Sequence, residues 1–198
     1  MTKVYDEQYF ERWYRGTDPA ADRAHLKRKV AMAVAVAEYY LERPIQTVLD
    51  IGAGEAAWRA PLRAIRSDVD YLAFDSSEYA VSRYGSRRNL HYARFGDFEW
   101  LRPCPPVDLL ICSDVMHYVS ASELKRGIVG LAELTGGVAF LETFVKGDPF
   151  AGDQEGFVAR SGRSFRSTLS KAGLEPIGSH FWVRADVADG FAAMERPF

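Results

Sequence analysis

The stretch that decides the fold is Thr47-Val48-Leu49-Asp50-Ile51-Gly52-Ala53-Gly54-Glu55-Ala56. Five β-prone residues run into two closely spaced glycines, and a helix is expected to follow from Glu55 to about Arg66. The glycines permit a tight turn and let a ligand approach bare backbone. The N-terminus of a following helix offers free N–H groups and a partial positive charge.

Working outward, the same alternation recurs. Val69 to Asp75 reads as a second strand, and Ser76 or Ser77 can cap the helix after it. A weaker third strand is expected near Leu90 to Phe95, ended by Gly96 and Asp97. Val107 to Cys112 is the most apolar short run, as expected of a strand buried on both faces. Ser122 to Leu134 has helical spacing at Leu124, Ile128, Leu131 and Leu134, with Gly136-Gly137 expected to stop it. Val138 to Val145 reads as a strand, Lys146 to Gly162 as a loop, and Ser164 to Ala172 as a helix. Leu174 to Val183 and Gly190 to Arg196 are two candidate final strands. Strands alternating with helices imply a parallel sheet covered on both faces, with ligands at the carboxyl ends of the strands.

Upstream, Tyr5, Tyr9 and Trp13 fall four apart, so one helical face is aromatic. Gly16, Asp18 and Pro19 break that helix, and a longer one is expected from Ala20 to Glu42, closed by Pro44. We therefore divide the chain into an N-terminal helical segment over residues 1–43 and an α/β domain over 44–198.

Composition narrows the function classes. The 198 residues are 47% hydrophobic and 26% charged, which is ordinary for one folded domain. A net charge of −2 lacks the basic excess of a nucleic-acid partner. Val30 to Ala37, the longest nearly pure apolar run, is far short of a membrane span, and the N-terminus has no signal-peptide core. A cytoplasmic location and no membrane partner are expected. Cys104 and Cys112 cannot make a disulfide framework, and the four histidines show no paired spacing, so no metal site is expected.

The polar residues that carry chemistry fall at strand ends. Asp75, 21 residues after Gly54, can accept hydrogen bonds from ribose hydroxyls. In Gly96-Asp97-Phe98 a carboxylate can accept from an adenine amino group, and an aromatic ring can cover the base. In Ser113-Asp114-Val115-Met116-His117-Tyr118, Asp114 and His117 are three apart and can share one side of a helical turn.

Taken together, these four strand ends resemble class I S-adenosylmethionine-dependent methyltransferases of the single-domain, small-molecule type. Val48 to Gly54 looks like the family's first motif and Phe74-Asp75-Ser76 like the second. Gly96-Asp97-Phe98 looks like the adenine motif, and Asp108 to Tyr118 like the fourth-strand motif. Tyr5 to Tyr14 is similar to an N-terminal lid, which implies that residues 1–43 form a helical lid or cap. Ala56 stands where a third glycine is usual. The resemblance implies a Rossmann-like three-layer α-β-α sandwich with a mostly parallel seven-stranded sheet and an antiparallel last strand, for which Gly190 to Arg196 is the candidate. It implies S-adenosylmethionine as cofactor, with S-adenosylhomocysteine as product. The residues holding the cofactor would be Asp50, Gly52, Ala53, Gly54, Asp75, Ser76, Gly96, Asp97, Phe98, Ser113 and Tyr14. His117 and Asp114 would be catalytic, His117 as a base where the acceptor must lose a proton.

The acceptor is expected to be a small molecule with an oxygen or nitrogen nucleophile, and the oligomeric state, monomer or homodimer, is left open. Arg160 and Arg163, with Phe150 and Phe157, are candidates for the acceptor pocket, and the arginines would favour an anionic acceptor. A nicotinamide-dependent oxidoreductase is the alternative enzyme, although no Tyr-x-x-x-Lys pair is seen. A non-catalytic S-adenosylmethionine-binding protein is the alternative of another class. A nucleic-acid methyltransferase is disfavoured, because Pro103-Cys104-Pro105-Pro106 precedes the fourth strand rather than following it.

Overall fold

The computed structural model describes residues 5–14, 19–149 and 153–195; the side chains of Tyr14 and Pro19 are outside this description. Seven strands form one sheet: β1 (Thr47–Ile51), β2 (Asp70–Asp75), β3 (Leu90–Tyr92), β4 (Val107–Ser113), β5 (Thr135–Glu142), β6 (Leu174–Gly178) and β7 (Phe181–Arg184). Their spatial order is β3-β2-β1-β4-β5-β7-β6. Strands β1 to β5 pair in parallel, and β7 runs antiparallel to both β5 and β6. The helices are α1 (Glu7–Tyr14), α2 (Pro19–Leu41), α3 (Arg59–Ile65), α4 (Glu78–Arg88), α5 (Ala121–Leu134), α6 (Gly162–Lys171) and α7 (Ala185–Ala188).

Two apolar cores, one on each face of the sheet, produce the three layers. On one face Val30, Ala33, Val34 and Ala37 of α2, spaced for one helical stripe, pack with Leu62 of α3, Val48 of β1 and Phe140 of β5. On the other, Leu124, Ile128 and Leu131 of α5 pack with Leu110 of β4 and Leu169 of α6. Residues Val107 to Cys112 are buried throughout, as a strand covered on both faces requires. Three helices begin on serine caps: Ser77, Ser120 and Ser161 accept from the N–H groups of Ala80, Glu123 and Ser164.

The sheet order places β1 at the reversal of winding. The chain leaves β1 toward β2 and β3, then crosses back to β4. The crevice above the carboxyl ends of β1, β2 and β4 is therefore the topological switch point.

Four expectations are corrected. The antiparallel last strand is Phe181–Arg184, not Gly190 to Arg196; Ala193–Glu195 is a short 3-10 turn. The run Leu174 to Val183 is a hairpin, because Ser179 and His180 both take positive φ (48° and 70°) and reverse the chain. Gly136 and Gly137 lie inside β5 rather than in a helix stop. A Cβ at Gly137 would sit 2.4 Å from the Asp108 carbonyl oxygen, so the close approach of β5 to β4 needs a residue without one. The helix after the glycine turn begins at Arg59, since Gly54 and Ala56 both have φ of 55° and delay it.

Candidate active site

A cavity of about 1070 Å³ opens above the switch point, a volume that suits a drug-sized or cofactor-sized ligand. Its floor is the turn after β1. The N–H groups of Gly52 and Ala53 both donate to the Phe74 carbonyl oxygen, at 2.8 and 3.0 Å, which ties the turn to β2. Gly52 has φ of +74°, and a Cβ there would lie 2.2 Å from Val115 Cγ2. The turn thus needs glycine both for its backbone and for its space.

Asp75 ends β2 and lines the cavity. Its carboxylate accepts from the Gly54 N–H at 2.7 Å and the Ser77 N–H at 2.8 Å. Burial pushes its pKa up, against these backbone donors. Two oxygens with about four acceptor sites leave room for a ligand's hydroxyls. Asp50, at 2% exposure, also reaches the cavity and accepts the Tyr71 hydroxyl at 2.6 Å. Burial raises its pKa to about 7, with the Tyr71 hydrogen bond opposing.

At the β4 and β5 ends stands a charged cluster that spacing did not reveal. Lys29 of α2 places Nζ 2.5 Å from Glu142 Oε2 and 3.9 Å from Asp114 Oδ2. Ser113 Oγ donates to Glu142 at 2.6 Å. Asp114 has φ of +61° and donates its N–H to the Glu142 carbonyl oxygen at 3.0 Å. Its carboxyl is pushed up by burial and by the Glu142 charge, with Lys29 opposing. Glu142 is held down by its hydrogen bonds from Lys29 and Ser113, which outweigh burial.

His117 lines the cavity at 1% exposure, beside the rings of Tyr118 (4.1 Å between centroids), Phe144 (5.4 Å) and Phe157 (5.7 Å). Its Nδ1 lies 3.3 Å from Thr143 Oγ1 and accepts from the Phe144 N–H at 3.5 Å. The roof comes from the N-terminal segment. Tyr5, Tyr9 and Trp13 line the cavity as one stripe, with Tyr5 and Tyr9 edge to face at 4.9 Å. The segment is pinned where Ser77 Oγ donates to the Tyr5 carbonyl oxygen at 2.6 Å, and where Phe10, at 2% exposure, packs against Tyr79.

Of the residues expected to hold a cofactor, Asp50, Gly52, Ala53, Asp75, Ser76 and Ser113 line this cavity. Gly54 serves it indirectly through Asp75. Gly96, Asp97 and Phe98 are not among the residues that line the cavity. These residues form a 3-10 turn (Phe95–Glu99). Phe98 is fully buried and packs edge to face on Phe74. Asp97 caps its own turn by accepting the Arg94 N–H at 2.8 Å. Gly96 faces α5, where a Cβ would meet Arg126 and Glu123. The cavity wall there is Tyr92 to Phe95 instead. The Tyr14 side chain and Phe150 lie outside the described residues.

Arg160, expected at the acceptor pocket, does not line the cavity either. Its guanidinium donates to the carbonyl oxygens of Met116 and Val119 and covers the Phe165 ring, so it ties the chain just before α6 to the turn after β4. Arg163 is exposed at the start of α6 and does not line the cavity. Spacing could not reveal Lys29 or Tyr92, but Glu142, a lone charge ending the apolar run Val138 to Leu141, carried the same strand-end signal as Asp75.

The sheet order, with an antiparallel strand between the fifth parallel strand and the edge, is a fold found in solved S-adenosylmethionine-dependent methyltransferases. Solved structures agree. Magnesium protoporphyrin IX methyltransferase from Synechocystis, solved with bound SAH, matches with a TM-score of 0.63 at 19% identity, covering 86% of each chain. A SAM-dependent methyltransferase from Archaeoglobus fulgidus matches at 0.61 and 14% identity, covering 84% of this chain and 73% of that one. The sugar N-methyltransferase KedS8 from Streptoalloteichus matches at 0.61 and 18% identity, covering 89% and 90%. No family model matches the sequence, and no curated protein does. Among the described residues no helix is long and apolar enough to cross a membrane, and no group of three His, Cys, Asp or Glu could hold a metal ion.

Proposed function

We propose that the chain is an enzyme transferring a methyl group from S-adenosylmethionine to an oxygen or nitrogen of a small-molecule acceptor. The observation that carries this reading is the cavity at the switch point. It combines a glycine turn that admits no Cβ with the Asp75 carboxylate at the end of β2, in a sheet with an antiparallel β7. The antiparallel strand also weighs against a nicotinamide enzyme, whose sheet of this type is ordinarily wound from parallel βαβ units.

The residues fit the cofactor. Asp75 would hold the ribose hydroxyls, Gly52 and Ala53 would pass close to the amino-acid moiety, and Tyr92 to Phe95 would wall the adenine. S-adenosylmethionine supplies, when bound, a methyl group on a sulfonium that leaves as a neutral thioether. The chain mainly has to align the acceptor and exclude water, and alignment alone can lower a barrier by several kcal/mol. Tyr5, Tyr9 and Trp13 would provide the cover, so that the lid function expected of residues 1–43 falls to this segment, while α2 carries a core stripe and Lys29. His117 and Asp114 would face the acceptor. Because His117 Nδ1 accepts from the Phe144 N–H, a neutral imidazole would carry its proton on Nε2 and act first as a hydrogen-bond donor.

Calorimetric titration with S-adenosylmethionine, S-adenosylhomocysteine, NAD and NADP tests the reading. The expected outcome is micromolar binding of the first pair alone, weakened by more than about tenfold in Asp75→Ala. Binding of NAD or NADP in their place would overturn it.

A further inference from the structure

The contacts that fasten the N-terminal segment converge on the start of α4. Ser77 caps that helix, accepting from the Ala80 N–H at 3.1 Å. It stands two residues after Asp75, whose carboxylate accepts the Ser77 N–H at 2.8 Å. A hydroxyl has one proton to donate, and Ser77 directs it to the Tyr5 carbonyl oxygen at 2.6 Å. The same helix adds the Tyr79 ring, 5.7 Å from Phe10, and a Tyr79 hydroxyl that donates to Glu7 at 3.1 Å, with Arg83 3.7 Å from that carboxylate. The contacts to Glu7 are exposed, where such pairs contribute little. Ser77 and Phe10 are both buried, so the Ser77 hydrogen bond and the Phe10 packing do most of the holding. Tyr5, Tyr9 and Trp13 of the held segment line the cavity together with Asp75 and Ser76. Burial and the charges of Asp75 and Asp153 raise the Tyr5 hydroxyl's pKa to about 12, which places that ring within reach of both sides of the cavity. A nucleoside held by Asp75 would therefore lie under the segment that Ser77 holds.

We infer that Ser77 is a positioning residue whose hydroxyl latches the N-terminal segment over the nucleoside end of the cavity, so that one residue orients the ribose acid with its N–H and retains the cofactor with its side chain. This rests on the methyltransferase reading and deepens it. Ser77 does not itself line the cavity, so it acts through Tyr5 rather than by touching the cofactor. The segment must part from α4 when the cofactor is exchanged. The latch therefore sets how fast the cofactor leaves, as lids commonly do, and has no part in the transfer step.

Ser77→Gly isolates the latch. Glycine keeps the backbone N–H on Asp75, accepts the extended backbone at this position (φ −85°, ψ 110°) and replaces a serine cap at little cost, so the variant is expected to fold. Ser161→Gly makes the same cap exchange on α6 and serves as the control. In the full chain, release of S-adenosylhomocysteine would be timed by stopped-flow tryptophan fluorescence, with Trp13 in the cavity wall as reporter. Trypsin cleavage after Arg12, exposed on α1, would be followed in the free protein and with S-adenosylhomocysteine saturating. Release and cleavage are both expected to be about three- to tenfold faster in Ser77→Gly, as the loss of one net hydrogen bond gives, and unchanged in Ser161→Gly. Unchanged release, faster release without faster cleavage at Arg12, or equal acceleration in Ser161→Gly would each overturn the inference; the second would assign Ser77 to Asp75 or to the helix alone. A wild type that binds no S-adenosylhomocysteine would instead sink the methyltransferase reading, and cleavage of the free protein would still decide whether Ser77 holds the segment.

Discussion

Val115 closes over Gly52: a Cβ on Gly52 would lie 2.2 Å from one Val115 methyl and 2.8 Å from the other. The loop after β4 thus locks the turn after β1, and the two walls of the cavity meet at this contact. Gly52→Ala is expected to lose about 2 kcal/mol or more of stability, from the φ of +74° and from the clash together. Adding Val115→Ala should recover only the steric part. Urea unfolding of the single and double variants checks this, and full recovery in the double would show that the backbone contributes nothing.

Ala56 has φ of +55° and occupies the place where the resembled motif usually has a third glycine. A left-handed alanine costs roughly 1–2 kcal/mol, part of which glycine returns as unfolded-chain entropy. Ala56→Gly should therefore stabilise the protein by about 0.5–1 kcal/mol. A lower unfolding midpoint would contradict the strain argument.

Phe98 tests whether Gly96-Asp97-Phe98 serves the adenine. It is fully buried against Phe74, so Phe98→Ala should cost about 3–5 kcal/mol. The folded fraction should bind S-adenosylhomocysteine as the wild type does. A variant of near-normal stability with weakened cofactor binding would return Phe98 to the adenine site.

Asp50 makes stability depend on pH. Its folded pKa, about 7, lies above the unfolded value near 4. The folded state therefore holds the extra proton, and this contribution is complete below about pH 4 and is lost as pH rises through 7. Asn at this position can still accept the Tyr71 hydroxyl, and it does not ionise. Asp50→Asn should gain on the wild type between about pH 5 and pH 8, by a few kcal/mol at most. A stability difference that stays constant over that range would remove the claim.

Lys29 is expected to hold the acceptor end together. Lys29→Met leaves Glu142 partly buried without its cation and facing Asp114, which should cost about 2–3 kcal/mol. Lys29→Met with Glu142→Gln should restore most of it, and a double variant no better than the single would show that the pair acts by packing alone.

Much of this architecture was legible along the chain, because strand and helix periods are local. Val107 to Cys112 could only be a strand covered on both faces, and Asp75 stood one turn before a serine-capped helix. The misread elements failed where a local signal had a distant partner. Gly136-Gly137 looked like a helix stop, yet their absent side chains answer to the Asp108 and Val107 carbonyls of the neighbouring strand. Gly96-Asp97-Phe98 had the order of an adenine motif, but the 3-10 turn sends Phe98 into the core between β2 and α5.

The sequence by itself determined that strands and helices alternate, that polar residues gather at strand ends, and that a glycine turn followed by Asp75 marks a ligand crevice. Tertiary structure alone decided that β7 inserts between β5 and β6, that Arg160 turns away from the cavity, and that Lys29 meets Glu142 across 113 residues of chain. Backbone periodicity is written in neighbouring residues. The direction of a side chain, and the charge that answers it, depend on which distant element packs against it.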